Sequence, residues 1–502
     1  MPEYRDREAF GRLHASGEPF ALWTRLDGDL LTAVAAYMRI RAARTGPAFL
    51  LESVEGGAVR GRYSMIGLSP DLVWRARDGA AEICREALVR PEAFVAEPDG
   101  ALASLRRLVA ETVFELEEGL PPMAAGLFGY LGYDMVRQME RLGPAKASPI
   151  GVPDSIMIRP TAMVVFDNLR DEVSIIHVVR PAPEADTDEA YGAATALLSE
   201  LIACLEAPLA IPAPPRPETG IGAPVSNMDP AGYEAMVARA KEYILAGDIF
   251  QVVLSQRFEA PFPLPAFSLY RSLRRINPAP FLCYLDFESF QVVCSSPEIL
   301  VRARDGRVTV RPIAGTRPRG ATPAEDERLA EELLADPKER AEHLMLLDLG
   351  RNDVGRVAEL GSVEVTDSFF IERYSQVMHI VSNVEGRLRP DRDVLDALVA
   401  GFPAGTVSGA PKVRAMQIID ELEPDGRGPY AGCIGYFGAD GQMDTCIVLR
   451  TAVVKDGRMY VQAGAGIVHD SNPASEQQEC ENKARALFRA AEDAVRRAGL
   501  TN

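Results

Sequence analysis

Between Phe250 and Gly315 the chain carries four apolar runs, FQVVLSQRF (250–258), FLCYLDF (281–287), FQVVCSS (290–296) and VTVRPIAG (308–315). Each is rich in β-branched, aromatic and aliphatic residues and reads as a strand. Strands thus cluster in sequence instead of alternating strictly with helices, which points to a mixed α+β architecture rather than a Rossmann sheet. Further strands are expected at CIVLRTAVV (446–454) and RMYVQAGAGIV (458–468), and upstream at PAFLLESV (47–54), AMVVFDN (162–168) and EVSIIHVV (172–179). Helical periodicity marks Leu102–Glu118, Ala190–Leu205, Pro230–Ala246, Asp326–Leu334, Lys338–Leu349, Ala410–Leu422 and Ser475–Arg497. One break is clear. PLAIPAPPRPETGIGAP (208–224) holds six prolines and little periodic pattern, so residues 206–226 read as an extended linker or loop. It separates an N-terminal region, 20–205, from a C-terminal region, 227–495.

Composition narrows the functional classes. A chain of 502 residues with 47% hydrophobic content buries a large core. No apolar run approaches membrane-spanning length and the charged start is unlike a signal peptide. Seven cysteines, odd in number and without a C-x-x-C pair, suit reduced thiols in a cytoplasm better than a disulfide framework. A net charge of −18 argues against nucleic acid or an anionic membrane as partner. An anionic substrate must therefore be held by a local cationic site.

Two Glu-x-x-Glu pairs, Glu339/Glu342 and Glu476/Glu479, fall in helical stretches. Residues three apart share a helix face, and converging carboxylates suit a hard divalent cation such as Mg2+. The pairs lie in DPKERAEHLMLLDLGRND (336–353) and EQQECENKARAL (476–487), with PIAGTRPRG (312–320), VMHIVSNVEG (377–386), FPAGTVSGAPK (402–412), IVLRT (447–451) and GAGIV (464–468) around them. Shorter pieces, LLES (50–53), GRYSMIGLSP (61–70) and GLFGYLGYD (126–134), precede them.

Through these motifs, from about Pro47 to about Ala491, the chain resembles the chorismate-utilising enzyme family, and within it the large, chorismate-binding subunits of anthranilate synthases. The resemblance implies a large sandwich of mainly antiparallel sheets flanked by helices, with the active site in the C-terminal part. It assigns inner Mg2+ ligands to Glu342 and Glu479, and water-mediated ligands to Glu339 and Glu476, facing the ring carboxylate of chorismate. It assigns the other carboxylate to Arg450, Lys483 and the backbone of Gly464, Ala465 and Gly466, with Tyr430 and Thr406 as further contacts. Glu298 in SSPEIL matches the general acid for the departing 4-hydroxyl, a poor leaving group unless protonated. Thr316 matches the residue that orients that oxygen, and His379 matches the group assigned to pyruvate elimination. The remaining histidines, His14, His177, His343 and His469, are read as structural or surface residues.

Two positions separate this chain from relatives. Where isochorismate and salicylate synthases carry a lysine that activates water, this chain has Gln251, whose neutral amide cannot serve as that base. Where typical aminodeoxychorismate synthases read PIKGT and use the lysine as nucleophile, this chain has Ala314 before Gly315, and alanine forms no adduct. The implied chemistry is ammonia attack at ring C2 giving 2-amino-2-deoxyisochorismate, then loss of pyruvate to anthranilate, the first step of tryptophan biosynthesis. An aminodeoxychorismate synthase subunit, or a non-catalytic tryptophan- or chorismate-binding regulator, are the alternatives. No glutaminase motif is present: GCIGYF around Cys433 lacks the histidine such a nucleophile turn needs, and Cys433 reads as a core residue. A separate glutamine amidotransferase subunit, in a hetero-oligomer, is implied as ammonia source. Finally, Glu52 and Ser53 of LLES with Pro280, Phe281 and Leu282 of NPAPFL match a tryptophan inhibitor site.

Overall fold

A continuous apolar run puts large side chains on both faces of a strand, which is stable only where both faces are covered. In the computed structural model, which describes residues 7–55, 59–181, 186–209, 220–374 and 377–500, they are. Along Ala48–Glu55, Phe49 and Leu51 point into one core while Ala48 and Leu50 point into another.

The strands pair antiparallel into two sheets. The first runs Phe20–Asp27, Glu172–Val179, the second half of Ser155–Asp167, the first half of Val59–Arg77, then Ala48–Glu55 and Phe281–Asp286. It continues through Gln291–Ser296, Thr451–Lys455 and Arg458–Ile467 to Gln251–Pro261. The second runs Val95–Gly100, Ala80–Cys84, the second half of Val59–Arg77, the first half of Ser155–Asp167, Gly126–Leu131 and Cys433–Gly438. Met443–Ile447, Ile299–Arg304, Arg307–Val310, Val377–Arg387 and Glu364–Arg373 follow, and Ile313–Pro318 shares an edge of Val377–Arg387 with Arg307–Val310. Val59–Arg77 and Ser155–Asp167 belong to both sheets. They turn the corner at a register shift between Pro70 and Leu72, beside Ser69 at φ 50°, as bulges bend paired strands.

Phe49, Leu51, Cys283 and Val292 of the first sheet meet Phe128, Tyr130, Ile434 and Cys446 of the second across the inner core. Helices Ala33–Ala43, Thr187–Glu206, Ala266–Ile276 and Pro473–Leu500 cover the outer face of the first sheet. Helices Ala101–Thr112, Val394–Gly401 and Pro337–Gly355 cover the second, while Pro230–Leu245 and Lys412–Leu422 pack on the far end of the first. The result is the sandwich of antiparallel sheets flanked by helices that the sequence resemblance implied. Both sheets draw strands from both regions of the chain. Of the proline-rich stretch, residues 210–219 lie outside the described residues; before it, helix Thr187–Glu206 ends at a cap on Ala207, and after it Val225–Ser226 already pairs with Gln251–Pro261.

Several element boundaries differ from the sequence expectation, each for a local reason. The helix expected over Leu102–Glu118 stops at Thr112, and the next residues extend so that Phe114 N–H reaches Ala439 O. The helix expected from Ala410 starts at Lys412, because Ala410 is still a strand residue paired with Gln251. The run 446–454 is two strands, broken where Arg450 takes φ 48°. All seven cysteines are free, as their spacing suggested. Among the described residues no helix is long and apolar enough to cross a membrane.

Candidate active site

The acidic pairs sit in the opening turns of two helices. Pro337–Gly355 begins with proline and is capped by the Asp336 carboxylate, which accepts from the N–H groups of Lys338 (2.9 Å) and Glu339 (3.3 Å), a standard helix start. Pro473–Leu500 starts likewise, with Asn472 Oδ1 accepting from Ser475 N–H at 3.1 Å. Burial holds the Glu342 carboxyl above the ordinary range, and the charges of Glu339 and Glu479 push it further the same way. Glu476 is raised by burial and by Glu479. The four glutamates of the two helices thus face one another. Arg317 Nη1 partly offsets Glu339 (3.0 Å) and Lys483 Nζ partly offsets Glu479 (2.7 Å). Four carboxylates of which, among the described residues, only two have a cationic partner suit a hard cation.

Two buried titratable groups are each linked to a threonine hydroxyl. Glu298, in the turn between strands Gln291–Ser296 and Ile299–Arg304, is 6% exposed. Its carboxyl accepts from Thr406 Oγ1 at 3.1 Å and from the Ile313 N–H, but desolvation dominates and pushes it up to about 8. It therefore carries its proton at neutral pH. Thr316 sits opposite His379 on neighbouring strands, its Oγ1 3.2 Å from His379 Nδ1. The same Nδ1 lies 2.9 Å from Gly315 O. A carbonyl only accepts, so Nδ1 bears the hydrogen and Nε2 is left with its lone pair. Desolvation lowers His379 to about 4, with Arg450 and Lys483 adding to the shift, so the ring is neutral. The sequence placed Thr316 beside the acid; the hydroxyl bonded to Glu298 is that of Thr406, and Thr316 serves His379.

Gly315 is a bulge at φ 68°, and a Cβ there would lie 3.1 Å from Glu339 Oε2, so only glycine admits the bend. Ala314 beside it is 8% exposed. On strand Arg458–Ile467, Gly464 and Gly466 face Tyr430 and Gln251: added Cβ atoms would lie 2.8 Å from Tyr430 Oη and 2.5 Å from Gln251 Nε2. Ala465 points the other way, into the helix-covered core, and offers only its backbone. Lys483 Nζ donates to Gly464 O at 2.9 Å. The Arg450 guanidinium has no acceptor among the described residues, and desolvation lowers its pKa. An unpaired guanidinium beside a glycine-lined strand is suited to a carboxylate ligand.

Arg427, its partner Glu423 and Tyr374 carried no sequence signal. Arg427 is 2% exposed, forked onto Glu423 (2.6 and 2.9 Å) and bonded to the carbonyls of Val407 and Val253. Its guanidinium also lies 4.8 Å from the Tyr133 ring centre and 5.5 Å from that of Tyr430, so one buried ion pair ties Tyr430 to the turn bearing Thr406. Tyr374 packs edge-on against His379, ring centres 5.3 Å apart. Only long-range packing brings these together.

The residues matched to an inhibitor site are neighbours. Ser53 pairs with Phe281 and Glu52 with Leu282, while Val54 N–H reaches Pro280 O at 3.3 Å. They divide between the two faces of the sheet, however. Leu282 packs on the helix side and Phe281 against the inner core. The Glu52 carboxylate, on the helix side, already accepts from Arg274 (2.9 and 3.0 Å) and Tyr270 Oη (2.6 Å). Cys433 is 2% exposed and burial pushes its thiol up to about 12, so it is an inert core residue.

Residues 94–489 match the model of a family described as chorismate binding enzyme. The chain is 52% identical over 500 residues to anthranilate synthase component 1 of Cereibacter sphaeroides, covering 98% of this chain and 99% of that one. Its fold is similar to the crystal structure of anthranilate synthase component I from Streptococcus pneumoniae, with TM-score 0.73, 37% identity and coverage of 92% and 98%. The menaquinone-specific isochorismate synthase of Escherichia coli, 19% identical with TM-score 0.71 over 97% and 99% of the chains, shares the fold.

Proposed function

The chain belongs to the chorismate-binding enzyme family, and from that premise we propose that it is the ammonia-using large subunit of an anthranilate synthase. The observation that carries this reading is the separation of roles between Glu298, buried and protonated, and His379, buried and neutral with a free Nε2. Pairs of titratable groups driven to opposite protonation states are how one site performs acid and base steps at one pH.

Ammonia attacks ring C2 of chorismate, both ring double bonds shift by one position, the C4–O bond breaks, and the ammonium formed at C2 gives up a proton. Glu298 gives its proton to the departing hydroxyl, which leaves as water, and Thr406 holds the acid in place. In the second step the C2 proton is removed at the imidazole Nε2 of His379, the C3–O bond breaks, and enolpyruvate leaves to become pyruvate as the ring aromatises. Arg450 and the Gly464–Gly466 backbone orient one carboxylate. Glu342 and Glu479, with Glu339 and Glu476 through water, would hold Mg2+. When bound, it would offset the charge of the ring carboxylate.

The alternative, an aminodeoxychorismate synthase subunit, finds no support: Ala314 is no nucleophile, and similar chains carry the anthranilate synthase name. A glutamine amidotransferase partner follows from the absent glutaminase motif and from the "component 1" in those names. A cytoplasmic location is consistent with the seven free thiols. For tryptophan feedback, the pairing of strands Ala48–Glu55 and Phe281–Asp286 makes Glu52, Ser53 and Pro280–Leu282 neighbours, but Glu52 and Leu282 face the helices while Phe281, with Ser53 opposite it, faces the inner core, so an inhibitor would reach both sets only around the ends of these strands. There the inhibitor's ammonium would compete with Arg274 for Glu52.

The purified chain, given chorismate, Mg2+ and ammonium at alkaline pH, should release fluorescent anthranilate, and glutamine alone should not replace ammonium. Formation of the para isomer's precursor instead would overturn the assignment.

A further inference from the structure

Beside Tyr430 lies a cavity of about 20 Å³ walled by Arg257, Arg427, Tyr430, Thr451, Tyr460 and Gln462, room for one water-sized molecule. Two buried polar atoms among its walls lack partners, Arg257 Nη1 and Gln462 Oε1. They are a donor and an acceptor on directly opposed residues of neighbouring strands, and so on one face of the sheet. Their orientations are fixed. Arg257 Nη2 is committed to Asp425 at 2.7 Å. Ser255 Oγ donates to Glu423 Oε1 at 2.9 Å and so must accept from Gln462 Nε2 at 2.8 Å, which turns the amide oxygen toward the cavity.

The register places this cavity with respect to the substrate. Gln462 and Gly464 are two residues apart on one strand face, roughly 7 Å, and the Tyr430 hydroxyl closes over Gly464. Tyr430 therefore both lines the cavity and reaches the glycine-lined strand. Resting on the amination reading above, we propose that this cavity is a holding site for neutral ammonia, the nucleophile, on its way to ring C2. Ammonia accepts one hydrogen bond through its lone pair and donates others, which matches Arg257 Nη1 and Gln462 Oε1. Ammonium has no lone pair and would face two guanidinium groups, so the cavity selects the deprotonated, reactive form. Of its walls only Tyr460 and Gln462 are partly exposed, which sets the side from which ammonia arrives.

Two variants separate the requirements. Gln462→Met removes the acceptor, and Val448→Leu, at a buried position lining the same cavity, removes the room while leaving both polar atoms. With ammonium as nitrogen source, each should raise KM for ammonium about tenfold, the scale of one lost hydrogen bond. KM for chorismate and pyruvate release from supplied 2-amino-2-deoxyisochorismate should not change, and Gln462→Glu, which keeps an oxygen toward Arg257, should restore ammonium use. An unchanged KM for ammonium in whichever variant folds, or equal rises for ammonium and chorismate, would mean a trapped water only and overturn the proposal. The wild-type chain run alongside keeps the two readings apart. If it makes no anthranilate the amination reading itself falls, and if it does while the variants match it, only the holding site falls.

Discussion

Metal-competent side chains gather at two places in this fold, under opposite physical conditions. Inside the sandwich, Cys283 and Cys294 on paired strands and Cys446 on the facing sheet bring three sulfurs within 4.8 Å of one another, all buried. At the open end, the glutamates of helices Pro337–Gly355 and Pro473–Leu500 face each other, yet among the described residues no three of their oxygens come that close. Neutral thiols crowd because they behave as small apolar groups. Carboxylates stay spread, and borrow Arg317 and Lys483, because their charges repel. Proximity and charge thus fall in different places: the thiols cluster without charge, and the carboxylates carry charge without clustering.

Substitutions can break or sharpen that contrast. The largest effect belongs to the buried acid: Glu298→Gln should lower chorismate consumption about 10³-fold, within the usual range for a lost general acid. Since the protonated carboxyl is the active form, wild-type turnover at fixed free ammonia should fall as pH rises through about 8, and the residual turnover of the variant should lack that limb. A wild-type rate still rising beyond that pH would remove Glu298 from the role.

Next come Glu342→Gln and Glu479→Gln, each expected to cost more than about 100-fold, against roughly tenfold for Glu339→Gln or Glu476→Gln. Chelation of divalent ions should silence the wild type and be reversed by Mg2+. Equal losses at all four positions would erase the distinction between inner and outer carboxylates. His379→Met should still consume chorismate but accumulate 2-amino-2-deoxyisochorismate, seen by chromatography, with little anthranilate. Normal anthranilate output from that variant would contradict the division of steps.

Smaller still, Ser53→Phe should leave uninhibited turnover near wild type and abolish tryptophan inhibition; calorimetry finding no tryptophan binding to the wild type would remove the regulatory site. Strand Gln291–Ser296 pairs along its whole length with Phe281–Asp286, Phe281 opposite Ser296, and leads from Ser296 into Glu298, which gives such an effector a short physical route to the acid. At the bottom of the scale, Cys446→Ala should cost only about 1–2 kcal/mol of stability by emptying part of the core, with kcat and Mg2+ dependence intact. Loss of activity there would show that the sulfur cluster is more than packing.

The strands were legible because the layers around them are double: FLCYL (281–285) is apolar throughout since both of its faces are covered, and a run of that kind needs no tertiary knowledge to read. Helix starts were legible where proline and an acidic cap announce them, as at Asp336–Pro337. The break at Arg450 was not, because nothing in IVLRT requires a left-handed residue; the bend arises where the chain leaves Met443–Ile447 in one sheet and enters Thr451–Lys455 in the other. In the site, the matched motifs name Glu298, Thr406, Thr316 and His379 one by one. Which hydroxyl serves which group depends on a cross-strand register and a distant turn. Arg427, Tyr374 and the Arg257–Gln462 pair were invisible for the same reason, since each acquires meaning only from partners far away in sequence.

The interleaving of strands from both regions also governs how the molecule comes into being. Ala48–Glu55 needs Phe281–Asp286 as its neighbour, and Gly126–Leu131 needs Cys433–Gly438. About 300 residues must therefore be synthesised after the latter strand leaves the ribosome before its partner exists, a wait of roughly 15–60 s at about 5–20 residues per second. Throughout that wait the nascent chain carries open strand edges of the kind that recruit foreign chains. Its yield in a cell should accordingly depend on chaperone capacity far more than on the stability of the finished enzyme.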